Sequence, residues 1–460
     1  MRSHSSDRVS ERARALLRFA CFGLGMVVML VGTRGAEAAD GARPPVTRPR
    51  ATSGDGGSEP KWDEQLTVTV GPKNAQIVGN DDKVLQAAVD YVARLGGGTV
   101  QVLPGTYRLR NSVFLASKVR IRGSGAETVL FKEPSHTTKL VANSDWYDQE
   151  VTFENPEGFR VGDGVCLQTK NPHNGAKVVL KRTLVARAGN RFKLDRALRE
   201  NFWMRGKSTA SALFPILNGE NVSDVVIEDL TLDGNKAQND ELDGNYGGGV
   251  FLQDCSRVAI RRVTSRNNRG DGFSWQIAHD VVVENCHSHD NTNLGLHPGS
   301  GSQRPVMRNN RLERNNIGIF FCWGVRYGLA ENNVLRGNHV GISIGHHDTH
   351  NVVRNNEISD SGRHGILFRD EQDKDFAGHH NLIEGNRILN SGVKDYGVGI
   401  ALEAEVEGIT LRKNHIIENR QPARRVGILI GPKVANLTLL ENEIRGLAVE
   451  VQDQRTSGSK

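Results

Sequence analysis

Several titratable side chains recur at matching positions of a repeat in the second half of the chain, and their types suit acid–base chemistry. They comprise two imidazoles, one guanidinium and two carboxylates: His297, His346, Arg369, Asp370 and Glu371. An imidazole or carboxylate can remove a proton next to a carboxyl group, and a cation can stabilise the anion that forms. We predict that these five residues are catalytic.

Other side chains of the same region could hold a substrate. The Trp323 ring could support the C–H face of a sugar, and His347, Asp348 and Glu403 occupy nearby positions, so we assign all four to substrate binding. His346, His347 and Asp348 could also offer metal ligands. Adjacent residues of a strand face opposite directions, however, and no third ligand is evident, so the presence of a metal is left open.

A short acidic segment offers a possible calcium site. Asp240, Glu241 and Asp243, together with Asp233, supply the oxygen ligands that Ca²⁺ prefers. Their spacing lacks both the EF-hand loop and the Gly-Gly-x-Gly-x-Asp repeat of calcium-binding β structures. A solvated loop is the competing interpretation, and no other cofactor is indicated.

A repeat positions the candidate residues. A glycine followed by an apolar residue recurs along the chain, at intervals of 23 residues up to the fifth member. We call these residues the ladder glycines: Gly249, Gly272, Gly295, Gly318, Gly341, Gly365, Gly399 and Gly427. The first and third residues after each glycine are almost all apolar, which is the period of a β-strand. A unit of this length without a helical segment predicts one coil per repeat, with parallel strands stacked about 4.8 Å apart.

The residues between the apolar positions form the predicted site. The second and fourth residues after each glycine point outward and should align into a shallow groove. His297, His346 and Arg369 follow Gly295, Gly341 and Gly365 by two, five and four positions, so we expect all three to form one site in this groove. A second series consists of asparagines, to which we assign a structural role, because asparagine accepts left-handed turns and its amides can stack. Its members are Asn285, Asn310, Asn332, Asn356, Asn386, Asn414 and Asn442.

The first part of the chain predicts a cap. Residues 39–63 are rich in Pro, Gly and Ser and are interpreted as a flexible linker. Asp81 and Asp82 can cap a helix that ends at the glycines of positions 96–98. Its apolar stripe would close the open end of a solenoid.

The segment after this helix carries a resemblance to a known superfamily. Its sequence is Gly96-Gly97-Gly98-Thr99-Val100-Gln101-Val102-Leu103-Pro104-Gly105-Thr106-Tyr107, and Val119-Arg120-Ile121-Arg122-Gly123-Ser124-Gly125 follows. These motifs resemble the opening of the pectate-lyase-like β-helix superfamily. The resemblance implies an all-β, single-stranded right-handed parallel β-helix solenoid with an N-terminal capping helix. We divide the chain into a cap with the first coils (64–149), an irregular β-rich excursion (150–215), β-helix repeats (216–452) and a tail (453–460).

The resemblance also implies an action on polysaccharides. A lyase or epimerase acting on a uronate-containing polysaccharide is favoured, with Arg369 as the cation and His297 or His346 as the base. The sequence has Leu296-His297-Pro298-Gly299 instead of the Asp-Pro-His-Asp of periplasmic mannuronan epimerases, and it lacks the paired-Asp and Gly-His-Gly patterns of polygalacturonases. A glycoside hydrolase using Asp370 or Glu371 with Glu403, and a non-catalytic solenoid that binds glycans or proteins, remain the alternatives.

The N-terminus predicts export. Five arginines precede an apolar run at 19–32, and Ala36-Glu37-Ala38 offers a cleavage site, so residues 1–38 are interpreted as a signal peptide of a secreted or periplasmic protein. No later segment is apolar enough to span a bilayer. No concentrated basic stripe suggests a nucleic-acid partner. Cys166, Cys255, Cys286 and Cys322 lack zinc-site spacing and are expected to be buried thiols.

Overall fold

The computed structural model describes residues 59–171, 173–371, 373–393, 396–421 and 424–455, all of which belong to the compact unit Arg43–Lys460. The predicted signal peptide, most of the predicted linker and the last five residues of the tail lie outside the described residues. No helix in the described ranges is long and apolar enough to cross a membrane.

Three long parallel sheets form the body of the described chain. Sheet 1 contains, in spatial order, Ile77–Val78, Thr67–Gly71, Gly98–Val102, Val119–Arg122, Ser223–Glu228, Ser256–Arg261, His279–Glu284, Val306–Arg308, Leu329–Glu331, Val352–Arg354, Leu382–Glu384, Thr410–Arg412 and Thr438–Leu440. Sheet 2 contains Gly105–Leu109, Thr128–Lys132, Thr231–Asp233, Thr264–Arg266, His287–His289, Arg311–Glu313, Val334–Arg336, Glu357–Ser359, Arg387–Leu389, His415–Ile417 and Glu443–Arg445.

Sheet 3 carries His297, and the other candidate site residues lie just after the ends of its strands. It contains Val113–Phe114, Leu217–Glu220, Val250–Gln253, Phe273–Gln276, Leu294–Pro298, Ile317–Phe320, Val340–Ile344, His364–Phe368, Tyr396–Leu402, Arg424–Ile430 and Val449–Asp453. The chain passes through sheets 3, 1 and 2 in each coil and then begins the next coil. This confirms the predicted all-β, right-handed parallel β-helix.

The interior of the solenoid is a stack of apolar side chains. One column of sheet 3 runs through the first residue after each ladder glycine, and every member is buried: Leu296, Ile319, Ile342, Ile366, Ile400 and Ile428. Because each coil contributes one side chain to the column, the period of the sequence produces a continuous core. The inward assignment of these positions is confirmed.

Stacked asparagine amides line a buried turn of the coils. The Nδ2 of Asn310 donates to Oδ1 of Asn333 at 3.0 Å, and Asn333 donates to Asn356 at 2.9 Å, with the series continuing through Asn386, Asn414 and Asn442. Asn332, which we assigned to this series, instead adopts a left-handed conformation just before it. The stack therefore has the structural role expected from the sequence.

The capping helix spans Asp82–Arg94. The Asp81 carboxylate accepts the N–H groups of Lys83 and Val84, which makes it the N-cap, while Asp82 lies inside the helix and accepts the N–H of Arg110. Leu85, Ala88, Val89 and Val92 are buried and belong to the main core. The helix covers the apolar end of the first coils, as predicted.

A separate antiparallel sheet interrupts the early coils. It consists of Thr137–Lys139, Thr209–Ser211, Gly164–Lys170, Lys177–Ala188, Arg191–Leu194 and Glu150–Thr152. Its aromatic side chains form a small core of their own, with the rings of Phe153 and Phe192 4.7 Å apart. Short 3₁₀ turns lie at Trp62–Glu64, Gly125–Glu127, Met204–Gly206, Lys236–Gln238 and Lys374–Phe376.

Candidate functional site

The outer surface of sheet 3, which we call the groove face, carries the second and fourth residues after each ladder glycine. The register aligns the second residues of consecutive coils: Phe251 with Ser274, Ser274 with His297, Phe320 with Ser343, and Ser343 with Leu367. Gly299, Cys322, Gly345, Arg369 and Glu403 hold the fourth position in successive coils. The groove face therefore brings residues that are far apart in the sequence onto one surface.

Arg369 lies at the centre of this surface and is held on several sides. Its Nη1 donates to Oγ of Ser343 at 3.0 Å, and its Nη2 lies 3.5 Å from Oδ2 of Asp348. Its Nε is 3.6 Å from Oε1 of Glu371, and its guanidinium carbon is 4.4 Å from the centre of the Phe320 ring. These contacts direct the side chain back along the groove toward the preceding coils.

A glycine makes this arrangement possible. A Cβ at Gly345 would lie 2.4 Å from Oε1 of Glu371 and 2.8 Å from Nη2 of Arg369. Any larger residue at position 345 would displace one of the two charged groups, because these distances are shorter than non-bonded contact allows.

The Glu371 carboxylate contacts both His346 and Arg369. Its Nδ1 lies 3.0 Å from Oε2 of Glu371, and its ring is 3.8 Å from the ring of Trp323. Its Nε2 is buried without a hydrogen-bond partner, although the side chain as a whole is 22% exposed. Trp323 itself is 54% exposed. The segment 370–380 contributes Phe376, whose ring lies 5.1 Å from the His346 ring.

His347 and Asp348 lie in different surroundings. The His347 ring packs on Phe376 at 4.9 Å, at the rim of the groove face. Asp348 is fully buried, and its carboxylate accepts the N–H groups of Val325 at 2.9 Å and Gly345 at 3.0 Å. The Asp348 oxygens are therefore directed into the turn and toward Arg369, and its assignment to substrate binding stays a prediction.

His297 points out of the coil but is not open to solvent. Its side chain is 3% exposed, and its Nδ1 lies 2.7 Å from Oδ2 of Asp271 and 3.3 Å from Oγ of Ser274. The Ser274 hydroxyl donates to the carbonyl of Gly244 at 2.5 Å, so the loop around residue 244 covers the pair. Burial alone would lower the pKa of His297, but Asp271 and Cys322 outweigh it and raise the pKa to about 9.

Asp271 was not predicted from the sequence. It occupies the position directly before the ladder glycine Gly272, and His364 occupies the equivalent position before Gly365. Both are buried and both meet an outward side chain of a later coil. Polar residues before the ladder glycines were the available signal, and the prediction considered only the residues after them.

A second titratable cluster lies further along the groove face. The Nε2 of His364 is 3.4 Å from the Tyr396 hydroxyl and 3.6 Å from Oε1 of Glu403. Burial and then the Asp370 charge raise the pKa of Glu403, although the Arg363 cation opposes them. Asp370 itself is exposed. Of the predicted residues, Glu403 thus lies in this cluster, apart from the contacts between His346, Glu371 and Arg369.

The buried His364 predicts a pH-dependent stability. Burial and then the charges of Arg363 and His339 lower its pKa from 6.5 to about 4. Between these values the unfolded chain binds more protons, so stability should fall as the pH drops, by up to about 3 kcal/mol. Unfolding in denaturant across this range should show the loss, and His364→Gln should reduce it. His415→Gln, at an exposed site, serves as the control, and parallel curves for all three proteins would contradict the assignment.

The predicted calcium ligands do not converge. Asp233 pairs with Arg266 at 2.8 Å, Asp240 accepts the Thr137 hydroxyl at 2.9 Å, and the Glu241 carboxylate accepts an amide N–H of Asn293 at 3.0 Å. Within the described ranges, no group of three or more His, Cys, Asp or Glu side chains could hold a metal ion.

The repeats of this chain match a known family model. The family model described as "Right handed beta helix region" matches residues 218–358 and 324–444. This match identifies residues 218–444 as a right-handed β-helix region. The expected resemblance is therefore confirmed at the level of architecture. A search of curated proteins finds no match for this β-helix.

Three solved structures illustrate the similarity. PfbA, a surface adhesin of Streptococcus pneumoniae, is 14% identical, with a TM-score of 0.50. The alignment covers 83% of this chain and 91% of the adhesin chain. An exopolygalacturonase from Thermotoga maritima is 13% identical (TM-score 0.46; 81% and 89% covered). The A-module of the Azotobacter vinelandii mannuronan C-5 epimerase AlgE6 is 16% identical (TM-score 0.45; 82% and 92% covered). Identities this low show the fold alone.

Proposed function

We propose that this β-helix protein is an exported lyase or epimerase that removes the proton next to the carboxylate of a uronate residue in a polysaccharide. One observation carries the proposal. The Glu371 carboxylate joins the His346 imidazole and the Arg369 guanidinium, beside the exposed ring of Trp323. A base, a cation and a sugar platform in one part of the groove face would support this reaction.

Each side chain of this group has a role that its chemistry supports. Glu371 binds Nδ1 of His346, which leaves Nε2 as the atom able to accept a proton. Arg369 would pair with the uronate carboxylate and stabilise the charge that develops on it when the proton leaves. Trp323 would carry the sugar ring. Ser343 and Asp348 are positioning residues, because they hold the guanidinium.

Exposure favours His346 over His297 as the base. The His346 side chain is 22% exposed, whereas that of His297 is 3% exposed and tied to a buried carboxylate. A base must reach the proton that it removes to within hydrogen-bonding distance or through one water molecule. The Nε2 of His346 is itself buried, so a polymer must displace the neighbouring side chain of Trp323 or Phe376 to reach this atom.

A glycoside hydrolase is the second candidate. The raised pKa of Glu403 favours the protonated form that a general acid requires, and the exposed Asp370 carboxylate lies close enough to influence that pKa. Such a pair could protonate a leaving group and activate water. A hydrolase would use the cluster around Glu403, whereas the lyase or epimerase would not. Substitution of Glu403 therefore distinguishes the two candidate functions.

The deciding experiment measures three products from the purified mature chain on a panel of polyuronates. A lyase gives unsaturated ends that absorb ultraviolet light, a hydrolase gives reducing ends without that absorbance, and an epimerase incorporates deuterium at C5 from D₂O without cleavage. Glu371→Gln should abolish the first or third signal, whereas Glu403→Gln should leave it in place. Polymer binding without any of the three signals would contradict the proposal and support a binding solenoid.

Export is a separate expectation of the proposal. When the full chain is produced with its own leader, the mature protein should begin near Ala39, because Ala36-Glu37-Ala38 matches a cleavage site for signal peptidase. N-terminal sequencing of the secreted or periplasmic fraction tests this. Recovery of intact Met1 in a cytosolic fraction would contradict it.

A further inference from the structure

We propose that the groove face holds a second reactive centre, in which Cys322 is a nucleophilic thiol served by His297 and Asp271 and takes the acyl group of a carboxylic ester. The elimination chemistry proposed above does not use these three residues. The new centre is therefore an independent claim about the same surface.

The register of the coils places the thiol beside the imidazole. The N–H of Cys322 donates to the carbonyl of Pro298 at 3.0 Å, and Pro298 is the residue after His297. His297 lies on the strand Leu294–Pro298, and Cys322 lies two residues after the strand Ile317–Phe320 of the next coil. Adjacent coils lie about 4.8 Å apart, so the Cys322 backbone lies directly against the residue that follows His297.

The imidazole is oriented as a base for such a thiol. Its Nδ1 is fixed by the Asp271 carboxylate at 2.7 Å, and that carboxylate also accepts the N–H of Leu294 at 3.1 Å. The Nε2 on the other side of the ring is buried and has no hydrogen-bond partner. The Cys322 thiol also helps to raise the pKa of His297. Nucleophile, base and orienting carboxylate thus follow in the order that nucleophilic catalysis requires.

The other cysteines differ from Cys322. Among the described residues four cysteines are free, and Cys166, Cys255 and Cys286 are buried. The thiols of Cys255 and Cys286 donate to backbone carbonyls, and burial raises the pKa of both. Cys322 is partly exposed and adjoins the exposed Trp323. Burial explains the first three as packing residues, whereas Cys322 faces the groove.

An aromatic wall connects this centre to a cation. The Phe320 ring lies 5.5 Å from the His297 ring, and the Arg369 guanidinium lies 4.4 Å from the same phenyl ring. A guanidinium at this wall could stabilise the oxyanion formed when a thiolate attacks a carbonyl. The neighbouring aromatic surface of Trp323 suits an acylated sugar as the ester.

The reaction balances with water as the second substrate. With its raised pKa, His297 holds the proton that the Cys322 thiol gives up, and the sulfur attacks the ester carbonyl carbon. The C–O bond of the ester then breaks, and its oxygen leaves as an alcohol with the proton from His297. Water, losing a proton to His297, attacks the thioester; the C–S bond breaks, a carboxylic acid is released and the thiol is restored.

The test measures the reactivity of each cysteine in the folded full chain. Iodoacetamide alkylation, followed by peptide mass spectrometry, should modify Cys322 at about pH 7 about tenfold faster than glutathione under the same conditions. Cys166, Cys255 and Cys286 provide internal controls and should remain unmodified. Para-nitrophenyl acetate should release nitrophenol and leave an acetyl group on Cys322.

Variants separate an activated thiol from an exposed one. Asp271→Asn retains the shape of the buried pair and should slow alkylation of Cys322 by about tenfold and shift its pH profile upward. Cys322→Ala should abolish acetyl transfer while leaving any activity on uronate polymers unchanged. Removing the buried charge of Asp271 could unfold the chain. We therefore include His297→Gln as a second variant and measure the thermal unfolding of every variant. Alkylation at the glutathione rate, or equal rates in the wild type and all folded variants, would overturn the proposal.

Discussion

Arg369→Ala is expected to lower turnover on a uronate polymer by about a thousandfold while the protein remains folded. The guanidinium is joined to the proposed base through Glu371, and the Phe320 ring and Ser343 hydroxyl that contact it would remain in place. His346→Ala should have an effect of similar size, because the imidazole is the proposed proton acceptor. Initial rates of product formation, measured beside thermal unfolding, test both variants.

Matched controls are available on another face of the solenoid. His415 lies 2.7 Å from Glu443 on the outside of sheet 2, so it reproduces the histidine–glutamate pair without the groove. Arg387 is exposed on the same sheet. His415→Ala and Arg387→Ala should both retain full activity. Full activity in folded Arg369→Ala and His346→Ala would contradict the assigned roles.

Ile342→Asp and Ile366→Asp are each expected to destabilise the solenoid by about 4 kcal/mol or more. Both side chains are fully buried, and the two stack on each other in adjacent coils of the same interior column. A carboxylate at either position would have apolar side chains above and below it and no partner. Denaturant unfolding monitored by circular dichroism should show a large decrease in the midpoint, or a failure to fold.

The control for these variants places the same charge on an exposed face of the coil. Val334→Asp introduces the same carboxylate at a position that is 40% exposed on sheet 2. We expect its midpoint to change little, because water can solvate the charge. Equal stability of all three variants and the wild type would show that the column is not part of the packed interior.

The sequence alone predicted the architecture because the repeat acts through local geometry. A side chain that alternates between two faces of a strand has its direction determined by its position, and the 23-residue spacing brings equivalent positions into register. The buried column through Ile342 and the capping helix followed from these patterns. The groove face followed as well, since His297 and Arg369 do point outward from the coil.

Only the tertiary structure decided which outward residues are accessible and which carboxylate meets which base. Strand periodicity determines the direction of a side chain, but a loop elsewhere in the chain decides whether that side chain is covered. The loop at Gly244 covers His297, and the turn at Gly345 encloses Asp348. The contact between His346 and Glu371 spans 25 residues and depends on the open space above a glycine, which no local pattern encodes.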